Sequence, residues 1–93
     1  MSYEVLFEGA AERDLHKLPA EVRSRVLDGI DRLAEDPRAP STKALREALS
    51  GLRRLRVGEG RVCYLVSDEP AELTIIEIGH RRDIYERLRR RGR

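Results

Sequence analysis

The residues best suited to chemistry in this sequence are arginines with strand spacing. Arg54 and Arg56 flank Leu55 in the run Leu52-Arg53-Arg54-Leu55-Arg56-Val57, and Arg61 opens Arg61-Val62-Cys63-Tyr64-Leu65-Val66 after the link Gly58-Glu59-Gly60. A period of two reads as strand, and glycine at the first central position of a two-residue loop suits a type II′ turn. A Gly58-Glu59 loop pairs Val57 with Gly60, Arg56 with Arg61, Leu55 with Val62 and Arg54 with Cys63. Side chains alternate between faces, so Arg54, Arg56 and Arg61 share one face while Leu55, Val57, Val62, Tyr64 and Val66 share the other. A three-residue loop would set Val57 against Arg61 and mix apolar with cationic side chains.

Like charges opposed across strands repel, so stability does not account for these arginines. They suit an anion, whether RNA phosphate or the carboxylates of a partner. The plain structural reading is that Glu59, Glu77 or a loop carboxylate neutralises them. Directly after the last apolar run, Gly79-His80-Arg81-Arg82-Asp83-Ile84-Tyr85 adds two arginines, an imidazole and a phenol at a strand end, where functional groups are commonly held. His80 equally suits a helix cap or the surface, and Tyr85 equally suits packing of a terminal helix. His16 reads as an exposed helix residue and Cys63 as a space-filler near the sheet surface.

The elements that position these groups follow from the pattern. Tyr3 to Phe7 alternates as a first strand. Ala11, Leu15 and Leu18 recur at helical spacing, and Pro19 then opens a second helix carrying Val22, Val26, Leu27, Ile30 and Leu33 up to Pro37. Asp36 to Ser41 is a stiff loop, and Thr42 to Gly51 reads as a short helix or loop closed by glycine. The two halves of the arginine hairpin and Leu73 to Ile78 give three consecutive antiparallel strands. Asp83 to Arg91 reads as a weakly held terminal helix anchored only by Ile84 and Leu88, with residues 83–93 as helix or tail. The order is β-α-α-β-β-β with a final helix: an α+β fold in which a helical hairpin packs on a small, mainly antiparallel sheet.

Ninety-three residues make a single domain over 1–93. One cysteine excludes an intramolecular disulfide and a thiolate zinc cage, and neither a signal peptide nor a spanning run is seen. A cytoplasmic protein without membrane contact is expected, with no cofactor and no metal. The net charge is +2, but residues 1–52 carry 8 basic and 10 acidic side chains and residues 53–93 carry 11 and 7, a swing from −2 to +4. Of the 19 basic residues only Lys17 and Lys43 are lysines; the arginine fork grips phosphates and carboxylates bidentately. A basic half points to nucleic acid or an acidic protein partner.

Three segments carry a family resemblance: Arg13-Asp-Leu-His-Lys-Leu-Pro19, the hairpin from Leu52 to Tyr64, and the ending Ile78-Gly-His-Arg-Arg-Asp-Ile-Tyr85. In this order, across nearly the whole chain, they resemble the RelE/ParE superfamily of bacterial toxin–antitoxin toxins, and its RelE branch in particular. The resemblance implies a RelE-like fold and an mRNA interferase, a ribosome-dependent endoribonuclease that cuts mRNA in the A site to leave a 2′,3′-cyclic phosphate and a 5′-hydroxyl. It implies that Arg61 and Arg81 hold the phosphate, that Arg54, Arg56 and Arg82 bind substrate, and that Tyr85 stacks on or orients a base. The two basic strand positions are lysines in the best-studied RelE pattern. Arginine is a poor general base, so His80, with Tyr85 second, is the candidate for proton uptake. The turn is also shorter, with Gly60 where an aromatic is common. A partner is implied as well: an acidic, partly disordered antitoxin that folds on binding and through which alone operator DNA is reached. Two alternatives stand beside this reading, a ParE-like inhibitor of DNA gyrase without nuclease activity and a catalytically inactive antitoxin-binding co-repressor.

Overall fold

The computed structural model describes residues 2–91, the side chains of Arg81, Arg82 and Arg91 excepted. The chain runs β1 (Glu4–Phe7), α1 (Gly9–Lys17), α2 (Ala20–Glu35), β2 (Thr42–Ala44), a 3-10 turn (Glu47–Leu49), β3 (Arg53–Val57), β4 (Gly60–Asp68), β5 (Ala71–His80) and α3 (Arg81–Arg91). The strands form one sheet in the order β1-β5-β4-β3-β2. β1 lies parallel to β5, and the other neighbours are antiparallel.

The helical hairpin forms where the spacing places it. Val26, Ile30 and Leu33 fall on one stripe of α2 and are buried against Leu55, Val62, Tyr64, Leu73, Ile75 and Ile78 of the sheet, with Ala11 contributed by α1. Gly29 allows this approach, since a Cβ there would come 2.9 Å from Leu55 Cδ2. Tyr64 is fully buried and keeps its hydroxyl satisfied by donating to the Pro37 carbonyl at 2.7 Å.

The opposite face holds a second core of Leu49, Cys63, Ile76, Ile84 and Leu88. It arises from a register shift. Cys63 pairs with Glu77 but Tyr64 pairs with Ile75, so β5 carries one extra residue there. Leu73, Ile75 and Ile78 therefore serve the hairpin core, while Ile76 turns to the other side.

Two segments depart from the sequence reading. Thr42 to Gly51, expected as a short helix or loop, contains a three-residue strand paired with Arg53 to Leu55 and then a single 3-10 turn. The strand is held by backbone pairing rather than by an apolar face, which leaves no periodic signal in three residues. The terminal helix begins at Arg81, two residues before the expected Asp83, and its anchors are 0% and 3% exposed at Ile84 and Leu88. Burying the two stabilises the contact by roughly 2 kcal/mol each. Residues 92 and 93 lie outside the described residues. Among those described, no helix is long and apolar enough to cross a membrane.

Candidate functional site

The β3–β4 register is the one that the glycine turn dictates: Val57 with Gly60, Arg56 with Arg61, Leu55 with Val62 and Arg54 with Cys63. Gly58 adopts φ +59°, the left-handed conformation required at the first central position. Continued onto β5, the register gives two transverse rows on one face, Arg54–Cys63–Glu77 and Arg56–Arg61–Gly79. Arg56 is exposed, and Arg54 and Arg61 are half-buried. Among the described residues none of the three forms an ion pair. Arg61 instead donates from Nη1 to the Gly60 carbonyl at 3.0 Å, folding back over the turn. Arg53 points to the other face and donates to Thr42 Oγ1 at 2.8 Å, which takes it out of the cationic group.

Tyr85 packs half-buried against the second core, on the face that carries these arginines. His80 stands elsewhere. It is exposed and borders a cleft of about 390 Å³ on the hairpin side, lined by Leu18, Val22, Val57 and Ile78, where Arg61 also reaches the rim. His80 is thus at the end of the sheet and not in the arginine rows. The side chains of Arg81 and Arg82 lie outside the described residues, although their backbone forms the first turn of α3.

Cys63 lies fully buried in the middle of the first row. Burial, reinforced by the Glu77 carboxylate, pushes its thiol up to about 12, against the opposing influence of Arg54, Arg61 and Arg87. It is therefore not a nucleophile at neutral pH. No cluster of His, Cys, Asp and Glu among the described residues could hold a metal ion.

Two contributors carry no signal in the sequence. Asp14 of α1 accepts from the Ile78 N–H at 3.2 Å, and Arg87 of α3 donates to the Ile78 carbonyl at 3.1 Å. Arg87 also pairs with Asp14 at 3.4 Å and Glu77 at 3.3 Å. The Asp14–Arg87 contact crosses 73 residues of chain, and nothing in spacing or composition links the two positions.

Comparison with known proteins bears on what this arrangement serves. Residues 5–85 match the family described as ParE toxin of type II toxin-antitoxin system, parDE. The chain belongs to the RelE/ParE superfamily of type II toxins. Within it, the chain is 38% identical over 88 residues to toxin RelG of Mycobacterium tuberculosis, covering 94% of this chain and all of that protein. It is 32% identical over 84 residues to toxin RelE of the same organism, covering 89% of this chain and 86% of the relative. Among solved structures, the M. tuberculosis RelBE2 toxin–antitoxin complex superposes with a TM-score of 0.79 at 34% identity, covering 87% of this chain and all of that one. The archaeal RelE–RelB complex from Pyrococcus horikoshii gives 0.74 at 27% identity, covering 88% and 98%. The α+β fold of this RelE/ParE toxin, three helices on a five-stranded mixed sheet, is the fold of those neighbours.

Proposed function

We propose that this toxin is an mRNA interferase that cleaves mRNA in the ribosomal A site. The observation that carries the reading is the hairpin register, which sets Arg54, Arg56 and Arg61 at neighbouring positions of one sheet face with no ion-pair partner among the described residues, beside the helix that bears Tyr85. Attack of a ribose 2′-oxygen on the adjacent phosphorus forms one P–O bond while the bond to the 5′-oxygen breaks. The products are a 2′,3′-cyclic phosphate and a 5′-hydroxyl. Charge builds on the phosphorane oxygens, and preorganised guanidinium groups lower its energy. In this scheme Arg61 and Arg81 hold the scissile phosphate, Arg54, Arg56 and Arg82 grip the flanking backbone, and Tyr85 stacks on a base. The 2′ proton goes to His80, reaching in from the end of the sheet, with Tyr85 as the second candidate, since the arginines stay charged; the leaving 5′-oxygen takes up a proton from water to become the hydroxyl.

By likeness to the RelE–RelB complexes, the toxin is held by a cognate antitoxin. An acidic, partly disordered segment that folds on binding complements the arginine face, and operator DNA is engaged only through that antitoxin. The family match to ParE favours a second reading, inhibition of DNA gyrase by binding.

Induced expression decides between them. Transcripts cut within codons, with cuts that vanish when translation is blocked, support the nuclease; trapped gyrase–DNA complexes support the second reading. Arg61→Ala and Arg81→Ala are each expected to abolish growth arrest with the fold retained, and persistent arrest in both would overturn the assigned site.

A further inference from the structure

The contacts of α3 raise a question of geometry. Its apolar anchors, Ile84 and Leu88, are four residues apart and lie almost on one line along the helix axis. Two points on such a line keep the helix seated with that stripe on the sheet but leave it free to rock about the line. At 3.6 residues per turn, Tyr85 and Arg87 fall about 80° to either side of that line. Whatever holds Arg87 therefore sets the direction of Tyr85.

Arg87 is held at the outer edge of β5. That edge is paired with β1 only as far as Ile75, so the N–H and carbonyl of Ile78 lack a strand partner. Asp14 supplies the acceptor and Arg87 the donor, and the two side chains meet each other. Glu77 adds a second carboxylate to the same guanidinium. A Cβ at Gly79 would collide with Arg87 Nη2, so an alanine there would push the guanidinium out of its present place.

We propose that Asp14 and Arg87 form a clasp that sets the roll of α3 and so turns Tyr85 toward the arginine face. They are positioning residues for Tyr85. The effect on cleavage rests on the nuclease reading, whereas the roll itself does not.

The test uses the full chain with Arg87→Ala, Arg87→Lys, Asp14→Asn and Gly79→Ala. Proton NMR reads the Tyr85 ring against the side chains of Leu49 and Ile76, with contacts of Ile84 and Leu88 to the sheet as the control for helix seating. All four variants are expected to lose the Tyr85 contacts while keeping those of Ile84 and Leu88. Lysine fails along with alanine because a single ammonium cannot span the acceptors that the fork bridges. On programmed ribosomes kcat should fall about tenfold or more with KM within about twofold, and Arg87→Ala should cost little further in a Tyr85→Ala background.

Unchanged Tyr85 contacts in Arg87→Ala and Arg87→Lys would overturn the clasp. Should alanine detach the helix, the lysine variant decides: detachment there too marks a plain structural brace and overturns control of roll. A wild-type chain that cuts no mRNA, with the NMR contacts behaving as expected, defeats the nuclease reading and leaves the clasp standing.

Discussion

Arg56 and Arg61 are directly opposed partners across the β3–β4 hairpin, and neither meets a carboxylate among the described residues. Opposed like charges cost a few tenths of a kcal/mol or more, so the pair is held against its own repulsion. Arg56→Ala is expected to leave thermal stability unchanged or slightly raised. Over a salt series, the same variant should bind single-stranded RNA more weakly at every sequence and lower the slope of log affinity against log salt by about 0.7. A marked drop in melting temperature would show the pair to be structural instead.

Gly29→Ala sets two effects against each other. Alanine favours a helix interior by about 1 kcal/mol, but the new Cβ would sit 2.9 Å from Leu55 Cδ2 and 3.5 Å from Val57 Cγ2. Crowding in a packed core should win, for a net loss of about 1–2 kcal/mol in urea denaturation. Adding Leu55→Val should recover part of the loss, because the shorter side chain makes room. Independent, additive effects would refute the proposed contact.

The thiol of Cys63 titrates higher in the folded chain, at about 12, than its ordinary 9.0. An unfolded chain therefore gives up this proton first as pH rises. The stabilisation is complete below about pH 9 and is lost as pH climbs through about 12. Cys63→Ala should flatten the fall of stability across that window, and a thiol reagent at pH 8 should leave the folded wild type unmodified.

Asp68 receives two hydrogen bonds from Arg38, both at 3.1 Å, and one from the Tyr3 hydroxyl at 2.7 Å. These donors, Arg38 foremost, hold its carboxyl below the usual range. Its contribution is present above about pH 4, the ordinary aspartate value, and fades as pH falls through the lower folded value. Asp68→Asn should accordingly be less stable than wild type at pH 7 by a small margin, with the difference closing in acid. A gap that persists at about pH 2 would rule out the carboxylate as its source.

What could be read from the chain alone divides by the range of the interaction. The arginine register was legible because a glycine turn and strict alternation leave one arrangement that buries Leu55 and Val62, and both signals lie within a dozen residues. The stripe of α2 was legible for the same reason. β2 was not, because three residues paired through their backbone carry no pattern. The bulge at Ile76 was hidden because Ile75 and Ile76 are equally apolar and only the partner strand decides which faces which core. The place of His80 was hidden because the expected last strand ends at Ile78; the actual strand runs on to His80, and alternation from Gly79 then sends the imidazole toward the α1–α2 turn. The bracing of α3 depends on Asp14, and no spacing rule connects a carboxylate near one terminus with a guanidinium near the other.

The parallel pairing of β1 with β5 also constrains how the protein comes into being. Glu4 to Phe7 find their partners at Glu72 to Ile75, so the first strand made waits for the last before it is held. Contacts of such long separation are slow to form and cannot form at all on a half-synthesised chain. During translation the nascent polypeptide can assemble its arginine hairpin early, but β1 stays without its strand partner until residues 72–75 have emerged. The sheet that carries the arginine face is thus closed at its β1 edge only after the strand leading into α3 has been made.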